Sequence, residues 1–173
     1  MYEIVKTYKQ SIVATRFIGI KYGDEDRIDG SFGMKWEEWF ATDRFSMLES
    51  LLTDEFKGTY EDSNAYVGLM RWKDGEEFEY WIGMFMQKGT EVPEGYEYVD
   101  FPASNLGVCW LHGNIEELFC NEEVCADKLS DDGYEIIADD QGACLFFERY
   151  ACPRFTEPDE EGKIILDICH YIK

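Results

Sequence analysis

The pattern that most constrains this chain is an apolar period that changes from two to roughly 3.6 and back, twice along 173 residues. The β-branched and aromatic run Ser11–Ile20, closed by Tyr22-Gly23-Asp24, predicts a strand. From Met34 to Leu52, Trp36, Trp39, Phe40, Met47, Leu48, Leu51 and Leu52 recur at helical spacing, which predicts an amphipathic helix interrupted at Asp43-Arg44. Two extended runs follow, Ala65–Trp72 and Glu77–Gln87, joined by Lys73-Asp74-Gly75, whose Asp-Gly pair suits a hairpin. Beyond the break at Val92-Pro93-Glu94-Gly95, Tyr96–Phe101 and Leu106–Leu111 read as extended. A second helix is expected from an N-cap at Asn114 through Ile115, Leu118, Phe119, Cys125 and Leu129, stopped by Asp131-Asp132-Gly133. A short extended piece at Tyr134–Ile137 and two strands, Ala143–Tyr150 and Lys163–Ile172, complete the pattern. Strand, helix, strand, strand thus occurs twice. The expected fold class is α+β, with two β-α-β-β units sharing one mostly antiparallel sheet, both helices on one side, and residues 1–173 forming a single domain.

Charge removes several function classes. Sixteen Lys and Arg against 37 Asp and Glu give a net of -21, a surface that repels phosphate backbones and anionic lipid. No direct nucleic-acid partner is expected. No apolar window approaches the roughly 18 residues of a membrane span, and Met1–Gln10 lacks the order of a signal peptide, so the expected location is the cytoplasm. The six cysteines, Cys109, Cys120, Cys125, Cys144, Cys152 and Cys169, sit in apolar stretches and read as reduced thiols. No metal site is expected, because close Cys and His pairs are lacking, and in the acidic segment Asp24–Gly30 Ile28 stands where a calcium loop needs an oxygen. No phosphate-binding Gly-rich loop and no nucleophile elbow is present, and no cofactor is expected.

A set of marks carries a family resemblance. They are Trp36-Glu37-Glu38-Trp39-Phe40, the strand Glu79–Met84, and Val92-Pro93-Glu94-Gly95-Tyr96 leading into Phe101-Pro102-Ala103. Gly113, Asp132-Gly133-Tyr134 and Cys144–Tyr150 follow in order. Their order and spacing resemble the GyrI-like small-molecule-binding family, the module that also forms the effector-binding domain of multidrug-responsive AraC-type and MerR-type regulators. The resemblance spans about Lys9 to Lys173. It implies one curved sheet built from the duplicated units, a ligand groove between the halves, and a buried glutamate, here Glu148, that receives lipophilic and often cationic compounds. With about ten residues before the first strand and none after the last, no helix-turn-helix is expected and the module stands alone.

Alternation in Ala143–Tyr150 places Cys144, Phe146, Glu148 and Tyr150 on one face and Leu145, Phe147 and Arg149 on the other. An acid among aromatics suits a counter-charge for a cation, against the plainer pairing of Glu148 with Arg149. The candidate ligand-binding residues are Glu148, Phe146, Tyr80, Trp39 and Trp110, with Trp81 held as the alternative from the other face of the Tyr80 strand. Tyr150 is expected at a strand end with its hydroxyl in water, and His112 in a solvated loop. The expected function is binding of a lipophilic or cationic small molecule, for sequestration or effector sensing. The resemblance to the family implies two alternatives beside it. One is a hydrolase of cyclopropane-containing natural products using Glu148 and Tyr150. The other is an acidic protein partner that inhibits a topoisomerase.

Overall fold

The computed structural model describes residues 1–173. The elements run β1 (Glu3–Ile12), β2 (Thr15–Tyr22), α1 (Gly33–Ala41), α2 (Arg44–Glu49), α3 (Asp54–Lys57), β3 (Tyr66–Trp72), β4 (Glu79–Gln87), β5 (Glu97–Phe101), β6 (Ser104–Gly113), α4 (Ile115–Leu118), α5 (Glu122–Asp131), β7 (Cys144–Tyr150) and β8 (Ile164–Ile172). The protein is α+β, and its eight strands form one antiparallel sheet in the order β1-β6-β8-β7-β3-β4-β2-β5. From the centre outward, β3-β4-β2-β5 on one side matches β7-β8-β6-β1 on the other.

Each half is therefore two strands, helices and two strands, with its leading strand exchanged. β1 precedes β2 but pairs with β6, and β5 precedes β6 but pairs with β2. The links Val13-Ala14 and Pro102-Ala103 lack the Gly, Asn or Asp of a two-residue hairpin, so each chain passes on instead of turning back. The exchange forces the sheet to curl. A link this short spans about 10 Å, whereas in a flat sheet β1 and β2 would lie roughly 28 Å apart, six strand spacings. Curling brings Phe101 on the last strand onto Tyr171 on the third, stacked at 5.2 Å and 4°. The concave face closes over a core that includes Phe17, Trp81, Phe85, Leu106, Val108 and Phe147.

The convex face carries α1, α2, α4 and α5, whereas α3 puts Phe56 into the concave core. Trp39, Phe45 and Leu48 from α1 and α2 pack on Ile18, Ile82 and Met84, and Leu118 and Cys125 from α4 and α5 pack on Cys109, Leu166 and Ile168. The space between the two helix groups lies over the central strands.

Several local expectations need correction. Ser11–Ile20 is not one strand, because the chain breaks at Val13-Ala14. β1 gives little apolar signal, since it is an edge strand with a single fully buried residue, Ile12. The expected helix over Met34–Leu52 divides into α1 and α2 at Asp43, whose backbone is left-handed at φ 56°, and α3 follows as a further turn. The second helix divides likewise at Cys120, with φ 63°. Asn114 occupies the N-cap of α4 but makes no side-chain cap bond. Tyr134–Ile137 contributes only the single bridge Ile136 to Ile172. Arg149 faces the concave side, 2% exposed, and binds Asp167 at 2.9 Å and Gln10 at 2.7 Å. It does not pair with Glu148. His112 lies on β6 rather than in a loop, between Glu3 and Asp159.

Candidate functional site

The gap between α1 and α5 is a cavity of about 1070 Å³, at the upper end of the range for small-molecule sites. Its floor is built from β3, β4, β7 and β8, and hydrophobic residues make up 19 of the 28 that line it. Trp36 and Phe40 project from α1, Glu122 from the start of α5, and Phe78, Phe119 and Phe155 from loops.

Glu148 stands on the floor, 6% exposed. Tyr150 donates to its Oε2 at 2.6 Å and Tyr80 to the same oxygen at 3.2 Å. Oε1 is left without a protein donor. Trp36 Nε1 donates to the Tyr80 hydroxyl at 2.9 Å, so the tyrosine can turn its own proton toward the carboxylate. Gly68 makes that contact sterically allowed. It lies opposite Glu148 in the β3–β7 register, and a Cβ there would stand 2.5 Å from the Tyr80 hydroxyl oxygen.

Burial pushes the Glu148 carboxyl up to about 7, opposed by the Tyr150 hydrogen bond, helped by the charge of Glu122, and opposed again by Tyr80. Desolvation wins, and none of the groups that shift it is a cation. Burial and the adjacent Glu148 carry both tyrosines well above their ordinary range, so they remain donors. The surrounding rings are closely fitted. Trp36 and Phe155 meet Tyr150 edge-on at 4.8 and 4.7 Å, and Phe32 stacks on Tyr80 at 4.3 Å. On the same wall the Arg27 guanidinium lies over Phe32 at 4.5 Å and Phe78 at 5.3 Å, so these rings already hold a planar cation of the protein's own. Farther along the floor His170 stacks on Phe146 at 5.4 Å, and burial lowers its pKa to about 4, which leaves it neutral.

The structure brings Glu148, Tyr80, Phe146 and Tyr150 to one cavity. The Tyr150 hydroxyl is on the carboxylate rather than in water. It does not bring in the other three candidates. Trp39 is wholly buried, with Nε1 on the Tyr22 hydroxyl at 2.9 Å. Trp81 lies in the concave core, one residue out of phase with Tyr80. Trp110 is on that same face, under Arg154 and Lys6. Trp36, Glu122 and His170 line the cavity and were not among the candidates. Trp36 shares the helical stripe of Trp39, and only the position of α1 over the sheet tells which of the two borders the cavity.

No protein-family model and no curated protein matches the sequence. Solved structures do. SAV2435, solved with tetraphenylphosphonium bound, aligns with a TM-score of 0.68 at 15% identity, covering 98% of this chain and 94% of that one. The C-terminal domain of EcmrR aligns at 0.60 and 10% identity, with 97% of each chain covered. The chain shares the fold of these structures, as the resemblance to the GyrI-like family implies. A hydrolase from Listeria innocua aligns at 0.51 and 8% identity over 97% of this chain and 92% of that one. A fold shared at such low identity does not decide function, which is read from the cavity.

Proposed function

We propose that the protein binds lipophilic cations in this cavity, with Glu148 as the counter-charge. The observation that carries the reading is a carboxylate on the floor of an aromatic cavity, with one oxygen held by two tyrosines and the other unpaired. A cation entering there replaces the solvation that burial removed, and the nearby rings add about 0.5 to 2 kcal/mol per well-placed face. The tyrosines hold the carboxylate in one orientation, so little conformational freedom is lost on binding. The reading is supported by SAV2435, which shares the fold and was solved with such a cation.

Thermal unfolding with tetraphenylphosphonium, and with neutral triphenylphosphine oxide as control, tests it. Ligand at one hundred times its Kd adds about 2.7 kcal/mol of stability. The cation is expected to raise the unfolding temperature of the wild type and not of Glu148→Gln. A response to the neutral compound of equal size, or a full response in the variant, refutes the counter-charge.

A further inference from the structure

Glu122 is a second carboxylate on the cavity wall, the first residue of α5 and half-buried. Its carboxylate makes no ion pair, and burial pushes its pKa up. Glu122 and Glu148 line the same apolar space, and the charge of Glu122 acts on Glu148, Tyr80 and Tyr150. The cation nearest to hand does not neutralise either. Arg27 spends its guanidinium on Asp24 at 2.9 Å, on the Gly30 carbonyl at 3.2 Å and on two rings. Glu148 itself is more than nine-tenths buried with Oε1 unpartnered. The cavity therefore presents two uncompensated negative groups, one on the sheet floor and one on the helix wall.

A ligand with one positive centre relieves only one of them. A second positive centre on the same apolar body relieves both and removes the repulsion between them. We propose that Glu122 is a specificity-determining residue and that the cavity prefers aromatic dications over monocations. This rests on the cation-binding reading above.

The test is calorimetric titration with a decane-linked bis-quinolinium and with the corresponding decylquinolinium. The wild type is expected to bind the dication at least about tenfold more tightly, well beyond the statistical factor of about two for two equivalent rings. Glu122→Gln is expected to reduce the preference to that statistical factor by weakening the dication more than the monocation. Glu122→Asp, which keeps the charge, is expected to retain most of the preference. An undiminished preference in Glu122→Gln, or equal binding of both probes by the wild type, overturns the role of Glu122 and leaves the cation reading intact. If the wild type binds neither probe, the cation reading falls, and this proposal with it.

Discussion

Glu148 is held where its charge is disfavoured, and that has a consequence for stability as well as for binding. Its carboxyl has an ordinary value of 4.5 and is raised to about 7 in the fold, so the folded chain holds a proton that the unfolded chain has already lost. The stabilisation is complete below about pH 4.5 and disappears as pH rises through 7, a loss on the order of 3 kcal/mol. Glu148→Gln is thus expected to unfold at a higher temperature than the wild type at about pH 8.5, with the two curves converging toward pH 4.5. A pH-independent difference in calorimetric scans would contradict the burial of an ionisable acid. The face it occupies was legible, because strand alternation put it among aromatics with Arg149 on the other side, while its singling out as a counter-charge came from the resemblance to the GyrI-like family. Tyr150 was placed on the face of Glu148 by the same alternation, but its hydroxyl was expected in water, because strand spacing does not tell whether a strand-end side chain leans back onto a carboxylate two residues away or out to solvent.

At the scale of elements, β7 divides two kinds of chemistry between its faces. Toward the helices it offers Glu148 to the cavity, and toward the concave core it places Arg149 in a network with Asp167, Gln10 and Tyr8. Arg149→Met leaves Asp167 dependent on Arg154 alone, and is expected to cost about 3 kcal/mol in denaturant unfolding with the cation affinity of the folded protein unchanged. A loss of affinity without loss of stability would mean that the two faces are coupled. The neighbouring strand gives the opposite expectation. Gly68→Ala drives a methyl group into the Tyr80 hydroxyl, which should lower cation affinity along with about 1–3 kcal/mol of stability, read by titration and by unfolding of the same sample. Affinity equal to wild type would show that the Tyr80 contact is dispensable. The strands of the convex floor were readable because, buried on both faces, they carry near-continuous β-branched and aromatic runs bounded by turn signals. β1 was missed because a solvated edge needs no such pattern; the division of the first helix falls at Asp43, where the apolar face is interrupted in the sequence, whereas the left-handed turn at Cys120 lies inside an apolar stretch and was missed. The tryptophans show the same limit: Trp39 and Trp110 have the residue type of a cation-binding wall, but the elements that carry them turn them into the core or onto the other face.

The whole molecule couples these scales through its exchanged leading strands. Two short links curl the sheet, the curl gives a closed concave core, and the convex side is left with two helix groups too far apart to meet over β3 and β7. The repeat of strand, helix, strand, strand made the α+β class legible, while the exchange was hidden because pairing partners lie about ninety residues apart in sequence. Only half of the duplicated frame supplies an acid to the floor, so the cavity is asymmetric within a symmetric scaffold. A net of -21 surrounds it and attracts cations from solution, an effect that salt weakens. The binding event and the proton on Glu148 then compete for one carboxylate. The most direct measurement is titration calorimetry of tetraphenylphosphonium on wild type and Glu148→Gln at about pH 6 and about pH 8. With a carboxyl near 7, the ionised fraction rises about tenfold between these conditions, so wild-type affinity should rise by the same factor while the variant binds weakly and equally at both. Wild-type affinity that is unchanged between the two, or tight binding by Glu148→Gln, would contradict the claim that this buried glutamate is what the cation meets.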